Sequence, residues 1–305
     1  MELDIYGPQR RTDPKLSRRI RAHQSWYRVE VLRAQEWGAT PPPNAREMGS
    51  ILSAKWAEKG VNFTSPEALA AYRERRLIGW GVEPYRCEHY LTSSQTLTLN
   101  LFAPLGNDLG WLTRVLSALG MEEVGRAENL QIEYQPALRS AGHLDRTIAD
   151  AFVGTSHGGV VIETKLADQF SKRKASEGAQ GFYELANSKM RIWRGRQSSF
   201  EKGAQDQLSR LHALGSLISD IPAHVLFVHH PLDTKSPLGA ERYRDVMEDP
   251  ELLHVIDLGR LMGVLRDTAR SSRQRSQVDS LYLRYLATGL SDGVFEEMEA
   301  VRLSG

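Results

Sequence analysis

Residues 146–165, RTIADAFVGTSHGGVVIETK, decide how the rest of the chain is read. Two β-rich runs, residues 147–153 and 160–165, flank a polar segment, 154–159, that carries three glycines with Thr, Ser and His. That composition is hairpin chemistry of the longer-loop kind, with the turn near residues 156 and 157. Symmetrical pairing about the turn sets Val153 opposite Val160 and Asp150 opposite Glu163. Directly opposed residues of an antiparallel pair share a face, and the period of two adds Lys165 to it. One face thus gathers two carboxylates and an amine.

Like charges across a ladder destabilise it. A divalent cation reverses that sign, because hard Mg²⁺ is held by one or two carboxylates and keeps several waters. A lysine beside it is placed to orient or deprotonate a nucleophilic water. An Asp followed by a strand ending Glu-x-Lys is therefore a metal-dependent phosphodiesterase arrangement.

The Asp/Glu-x-Lys triplet alone carries little weight, since it occurs three times: Asp13-Pro-Lys15, Glu163-Thr-Lys165 and Asp233-Thr-Lys235. Only the middle one closes a hairpin with a second carboxylate. The competing reading is a solvated strand face with an ordinary ion pair. Against it stands Val160-Val161-Ile162, a continuous apolar run that suits a buried central strand. Charges at the end of such a strand call for a reason.

The chain has 305 residues, 41% of them apolar, enough for a sizeable core in one large domain or two small ones. A net charge of +1 gives no global signature of nucleic-acid binding, so any basic surface is local. A single cysteine, Cys87, rules out a disulfide framework or a Cys-rich zinc site. The N-terminus lacks an apolar leader and no run approaches membrane-span length, so a cytoplasmic protein with no membrane association is expected.

Working outward, residues 9–37 look helical and basic, with arginines interleaved among Trp26 and Tyr27; a phosphate-tracking surface and a solvated helix face fit equally. A Pro-rich loop follows at 40–44. Residues 48–59 are expected to be helical, and Ser65-Pro66-Glu67 opens a helix that reaches about Leu77. A break at 103–106 precedes a helix over 108–119 and a strand over 130–135. After the hairpin, residues 171–202 hold eight Lys or Arg against three Glu. Within them Lys172, Arg173, Lys174, Arg191, Arg194 and Arg196 are the candidate nucleic-acid contacts, with a solvated loop as the alternative. A helix over 205–218, a strand over 223–228, a helix over 240–247 and a strand over 253–258 come next, and the remainder is helical. The core order is α-β-β-β-α-β, an α/β fold with a mixed central sheet. Three regions are expected: a helical N-terminal region, 1–88, packed on the core; a core, 89–258; and a helical C-terminal extension, 259–305.

Asp150 in TIADAFV and Glu163-Thr164-Lys165 in VVIETK, thirteen positions apart, resemble the PD-(D/E)XK nuclease superfamily, whose fold is restriction-endonuclease-like. With SSQTLTLNLF at 93–102 and DQLSRLHALG at 206–215, the chain is similar to a group of proposed bacterial restriction endonucleases of that superfamily over about residues 24–248. The resemblance implies that Asp150 and Glu163 ligate Mg²⁺ or Mn²⁺, with the Thr164 carbonyl as a further ligand, and that Lys165 positions the attacking water. Many members add an upstream glutamate, for which Glu122, Glu123, Glu128 and Glu133 are all available and Glu133, in the strand IEY, is the choice here. RecB-like members carry Gln-x-x-x-Tyr on the following helix; this chain departs from it, having Leu211 four residues after Gln207. Gln207 and Arg210 stay as substrate-contact candidates. Asp145, in His143-Leu144-Asp145-Arg146, resembles the Asp-Arg pair of RecB-like sequences, but symmetrical pairing favours Asp150.

The leading expectation is a metal-dependent nuclease cutting DNA phosphodiester bonds in restriction, defence or repair, with RNA and a homodimeric or partnered assembly left open. A nuclease-like module that binds without cutting is the alternative, since fold alone does not confer activity. A hydrolase built on His224, His229, His230 and Asp233 is disfavoured, because adjacent strand residues point to opposite faces.

Overall fold

The computed structural model describes residues 3–135, 139–140, 143–144, 147–172, 174, 177–219 and 221–304. In chain order its main elements are α1 (Lys15–Glu30), β1 (Trp37–Ala39), β2 (Glu47–Leu52), α2 (Pro66–Leu77), α3 (Ser94–Gly106), α4 (Leu109–Ala118) and β3 (Ala127–Tyr134). They continue with β4 (Ala149–Thr155), β5 (Gly158–Lys165), α5 (Glu177–Met190), α6 (Ala204–Ser219), β6 (His224–His229) and α7 (Ser236–Arg244). The last are β7 (Leu253–Asp257), α8 (Leu258–Thr268), α9 (Ser272–Tyr285) and α10 (Asp292–Ser304). The chain divides into two compact units: Met1–Leu101 with Leu166–Asp168 and Ala269–Gly305, and Phe102–Lys165 with Gln169–Thr268.

The first unit joins N-terminal to C-terminal helices through buried polar groups. Arg19 reaches Ser291 Oγ at 2.9 Å, His23 lies 3.1 Å from the same hydroxyl, and Gln24 donates to the Arg284 carbonyl at 2.6 Å. The helix expected over 9–37 is shorter, because Pro14 stands at its N-cap and Arg33 adopts a left-handed φ of 56° just beyond it. Its arginines are largely structural. Arg28 is fully buried and gives its guanidinium to the carbonyls of Ile5, Ala34, Gln35 and Gly49. The helix expected over 48–59 is instead a strand, β2, followed by the short turn Ala54–Ala57. Every residue of β2 after Glu47 is buried, and a side chain at Gly49 would meet the Tyr6 carbonyl, so the backbone is held close on both sides. A short apolar run of this kind fits either period.

α2 begins as its sequence dictates, with Ser65 accepting the Ala68 amide and Pro66 in the first turn. The break expected at 103–106 is absent; α3 continues through Pro104 to Gly106. A proline in a final turn forgoes a single intrahelical bond, and Leu101, Phe102 and Leu105 are all buried around it.

The second unit is built on a five-stranded mixed sheet in the order β3-β4-β5-β6-β7. β3, β4 and β5 pair antiparallel, whereas β5, β6 and β7 run parallel. The expected α-β-β-β-α-β core and mixed α/β class are what the structure shows, with flanking helices. Thr155 pairs Gly158, so Ser156 and His157 form the turn, and Val153 pairs Val160 as the symmetry of the sequence requires. Helices α5 and α6 cover one face: Phe152, Val161, Val225 and Phe227 from the sheet pack with Phe182, Tyr183, Leu208 and Leu211. α5 lies within the basic stretch 171–202, for which a solvated loop is the alternative; it is helical because Ala179, Phe182, Tyr183 and Ala186 form a buried stripe at helical spacing. α4 packs on β3 and α8, tied by the Trp111 indole N–H to Thr268 Oγ1 at 3.0 Å.

Candidate active site

The hairpin places its charged residues where sheet polarity changes from antiparallel to parallel. Phe152 is opposite Val161, so Asp150 and Glu163, each two residues away along its strand, extend that same face. The face is the one α5 and α6 cover, which explains why Glu163 is only 1% exposed. Lys165 follows on the same side, and its Nζ lies 2.6 Å from Glu163 Oε1.

Asp150 sits at the end of the ladder and uses its carboxylate in place of a strand partner. Its Oδ2 accepts the Thr164 backbone N–H at 2.7 Å and the Thr164 hydroxyl at 3.0 Å. Desolvation first, and the charge of Glu163 second, push the Asp150 carboxyl up to about 7, against the pull of Lys165 and the Thr164 hydrogen bonds. Two carboxylates are thus held close in a site that repels their second negative charge.

Gln207 enters from the first turns of α6. Its Nε2 donates to Glu163 Oε1 at 2.8 Å, and its Oε1 accepts the Ser171 backbone N–H at 2.9 Å. One amide therefore fixes both the carboxylate and the chain that leaves β5. Arg210, one turn later, turns elsewhere: it reaches Asp206 Oδ2 at 3.0 Å and Thr147 Oγ1 at 2.6 Å.

Glu133 lies in β3 between the pairs Ile132–Ala151 and Tyr134–Ala149, level with Asp150 on the neighbouring strand. It is only 3% exposed and has a left-handed φ of 52°, a backbone conformation rare for glutamate. Glu133, Asp150 and Glu163 consequently occupy one row across three adjacent strands. Asp145 and Arg173 fall outside the described residues.

A row not singled out by sequence crosses the parallel half of the sheet. Lys165 pairs His229, and His229 pairs Asp257. Phe227 links this row to the site: its ring centroid is 5.0 Å from Phe170 and 5.7 Å from His229, and Lys165 Nζ lies 5.6 Å from the Phe170 ring. His229 Nδ1 is 3.0 Å from the His230 carbonyl, so Nδ1 carries the proton and Nε2 faces outward from that bond. Strand parity at position 229 was the available signal. His224 lies at the opposite end of the same strand, 2.9 Å from His254, so the four-residue His/Asp grouping weighed from sequence is not assembled.

Of the basic candidates, Lys172, Lys174, Arg191, Arg194 and Arg196 are exposed. Lys174 reaches the Ser198 carbonyl at 3.3 Å, and Arg194 holds the Met247 carbonyl at 2.9 Å.

The donors suit a hard divalent cation: all are oxygens, and the carboxylate pair is left with mutual repulsion that a cation relieves. Among the described residues no group of three His, Cys, Asp or Glu is arranged around one point as a metal cage. Mg²⁺ and Mn²⁺ do not require one, since one or two carboxylates with water suffice. Among the described residues no helix is long and apolar enough to cross a membrane.

A family model described as the PD-(D/E)XK nuclease superfamily matches residues 11–287. No curated protein and no solved structure matches the chain.

Proposed function

The chain belongs to the PD-(D/E)XK nuclease superfamily, and from that premise we propose that it hydrolyses DNA phosphodiester bonds with Mg²⁺ or Mn²⁺. The observation that carries this reading is the buried Glu163 carboxylate, paired with Lys165 at 2.6 Å on the face that Asp150 extends. Asp150 and Glu163 would hold the cation, with the Thr164 carbonyl as a further oxygen. When bound, the cation supplies Lewis-acid polarisation of the scissile phosphate and neutralises its charge. Lys165 orients the attacking water and stabilises negative charge on the phosphoryl oxygens.

Gln207 keeps the Glu163 carboxylate in one orientation through its 2.8 Å hydrogen bond. Glu133 stands in the same row, on the strand beside Asp150. Covering the face with α5 and α6 keeps bulk water from Glu163 and strengthens each interaction there. Exposed Lys172, Arg191 and Arg196 supply charge for the phosphate backbone, outside the apolar face.

The test is cleavage of single- and double-stranded DNA by the purified chain in Mg²⁺, Mn²⁺ or EDTA, beside Asp150→Ala, Glu163→Ala and Lys165→Ala. Metal-dependent cleavage lost in all three variants supports the reading. Cleavage undiminished in the variants overturns it, and metal-independent DNA binding with no turnover assigns the chain to the non-cutting alternative.

A further inference from the structure

The first unit contains a cleft of about 650 Å³ between its N-terminal turn, the start of β1 and the last helix. This volume is that of a small-molecule site. Its polar lining is dominated by arginines: Arg10, Arg11, Arg18 and Arg302 against the acids Asp4 and Glu299. Arg18 and Arg302 both converge on Glu299, at 2.7 Å and 3.2 Å, so that acid is already spoken for. Arg10 and Arg11 are exposed; Arg10 lies 3.5 Å from Asp13 and 3.3 Å from Thr12 Oγ1, whereas Arg11 has no side-chain partner among the described residues. Positive charge in the cleft therefore exceeds what its own acids neutralise.

Apart from Gln9 the rest of the wall is apolar, and Trp37 is its aromatic member. Trp37 contributes its indole and is half-buried. The ring is held in place from two sides. The Arg28 guanidinium lies 5.7 Å from it, itself locked onto four carbonyls. At Gly7, whose φ is +75°, a Cβ would come within 2.9 Å of the indole, so only glycine lets the N-terminal turn close on the ring. A fixed indole beside the unpaired Arg11 guanidinium sets an aromatic surface next to an anion site.

Neither half explains the other. An inorganic anion would use the arginines and ignore Trp37, and an apolar ligand would leave Arg11 facing it unpaired. A planar heterocycle joined to a phosphate uses both. We infer that this cleft binds a nucleoside phosphate, its base against Trp37 and its phosphate against Arg10 and Arg11. The ligand is either a free nucleotide or one nucleotide of a nucleic-acid strand. The inference stands apart from the carboxylate-site reading, because the cleft and the carboxylates belong to different units.

The full chain is titrated calorimetrically in EDTA with each deoxynucleoside 5′-monophosphate, with inorganic phosphate, and with a short single-stranded oligonucleotide. Nucleotide-containing probes are expected to bind and inorganic phosphate to bind at least about tenfold more weakly, stacking being absent. Arg11→Glu and Arg10→Glu weaken binding about tenfold or more by reversing charge at the phosphate. Trp37→Leu weakens it about tenfold, and Trp37→Phe restores part of the loss. Saturation by free monophosphates identifies a free nucleotide as the ligand; binding of the oligonucleotide alone identifies a strand. Arg11 is exposed, so Arg11→Glu should match the parent in circular dichroism and melting, which separates lost binding from lost folding. Absence of binding by every nucleotide-containing probe, or binding that Arg10→Glu, Arg11→Glu and Trp37→Leu all leave unchanged, overturns the inference. DNA cleavage lost in Lys165→Ala leaves it untouched.

Discussion

Arg28 and Glu163 are both charges taken almost fully out of water, one in each unit, and they are treated in opposite ways. Arg28 meets only neutral groups, four carbonyls and the Trp37 ring, and desolvation lowers its guanidinium to about 10. Four of its five N–H donors go to backbone. Glu163 meets Lys165 and Gln207 but also faces the row of Asp150, whose carboxyl is pushed up to about 7. A buried charge whose hydrogen bonds go to main chain is architecture. A buried carboxylate whose neighbour is another carboxylate is a site kept at a cost in stability.

The largest expected effect breaks the second half of that contrast. Glu163→Gln and Lys165→Ala should each lower metal-dependent DNA cleavage by at least about a thousandfold while leaving the fold intact, as read by gel cleavage rates and circular dichroism. Next, Arg28→Met should cost about 3–5 kcal/mol in urea denaturation, because its carbonyls remain buried without a donor. An Arg28→Met protein as stable as the parent would erase the distinction.

A third test uses proton linkage. The Asp150 carboxyl is raised in the folded chain, so it binds its proton more tightly folded than unfolded. Its contribution is therefore complete below the ordinary carboxylate range, near pH 4, and is lost as pH rises through about 7. In metal-free protein, Asp150→Asn should raise stability at pH 8 by something on the order of 1–3 kcal/mol and by almost nothing at pH 4. Adding Mg²⁺ should raise the melting temperature of the parent and not that of Asp150→Asn. The smallest effect sharpens the role of Gln207: Gln207→Ala should reduce kcat about tenfold with KM little changed, since it orients Glu163 rather than binding DNA.

The hairpin was legible because its evidence is local. Turn residues, strand period and symmetric register all lie within residues 146–165, and the observed Thr155–Gly158 closure follows from them. Gln207 was legible through its helix. The basic helix was not: a string of arginines on α1 looks the same whether it meets solvent or carbonyls, and only the distant backbone at Ile5, Gln35 and Gly49 shows that Arg28 is interior. The strand β2 and the helix α5 were missed for a related reason. MGSIL is too short to declare a period, and the apolar stripe of α5 is diluted by Lys, Ser and Gly in the surrounding sequence. Glu133 was recoverable only as an upstream acid; its place in the row of Asp150 depends on the β3 register, which no local pattern sets.

One hydrogen bond described above has a spectroscopic meaning. Because the Thr164 amide proton is given to the Asp150 carboxylate rather than to a neighbouring strand, that single N–H is wired to the charge of the site. Its nitrogen and proton chemical shifts should follow the titration of Asp150 and respond again to divalent cations. Its deuterium exchange should accelerate when the carboxyl takes up a proton and the bond weakens. Thr164 is thus a native probe through which metal loading can be followed without substrate, label or turnover.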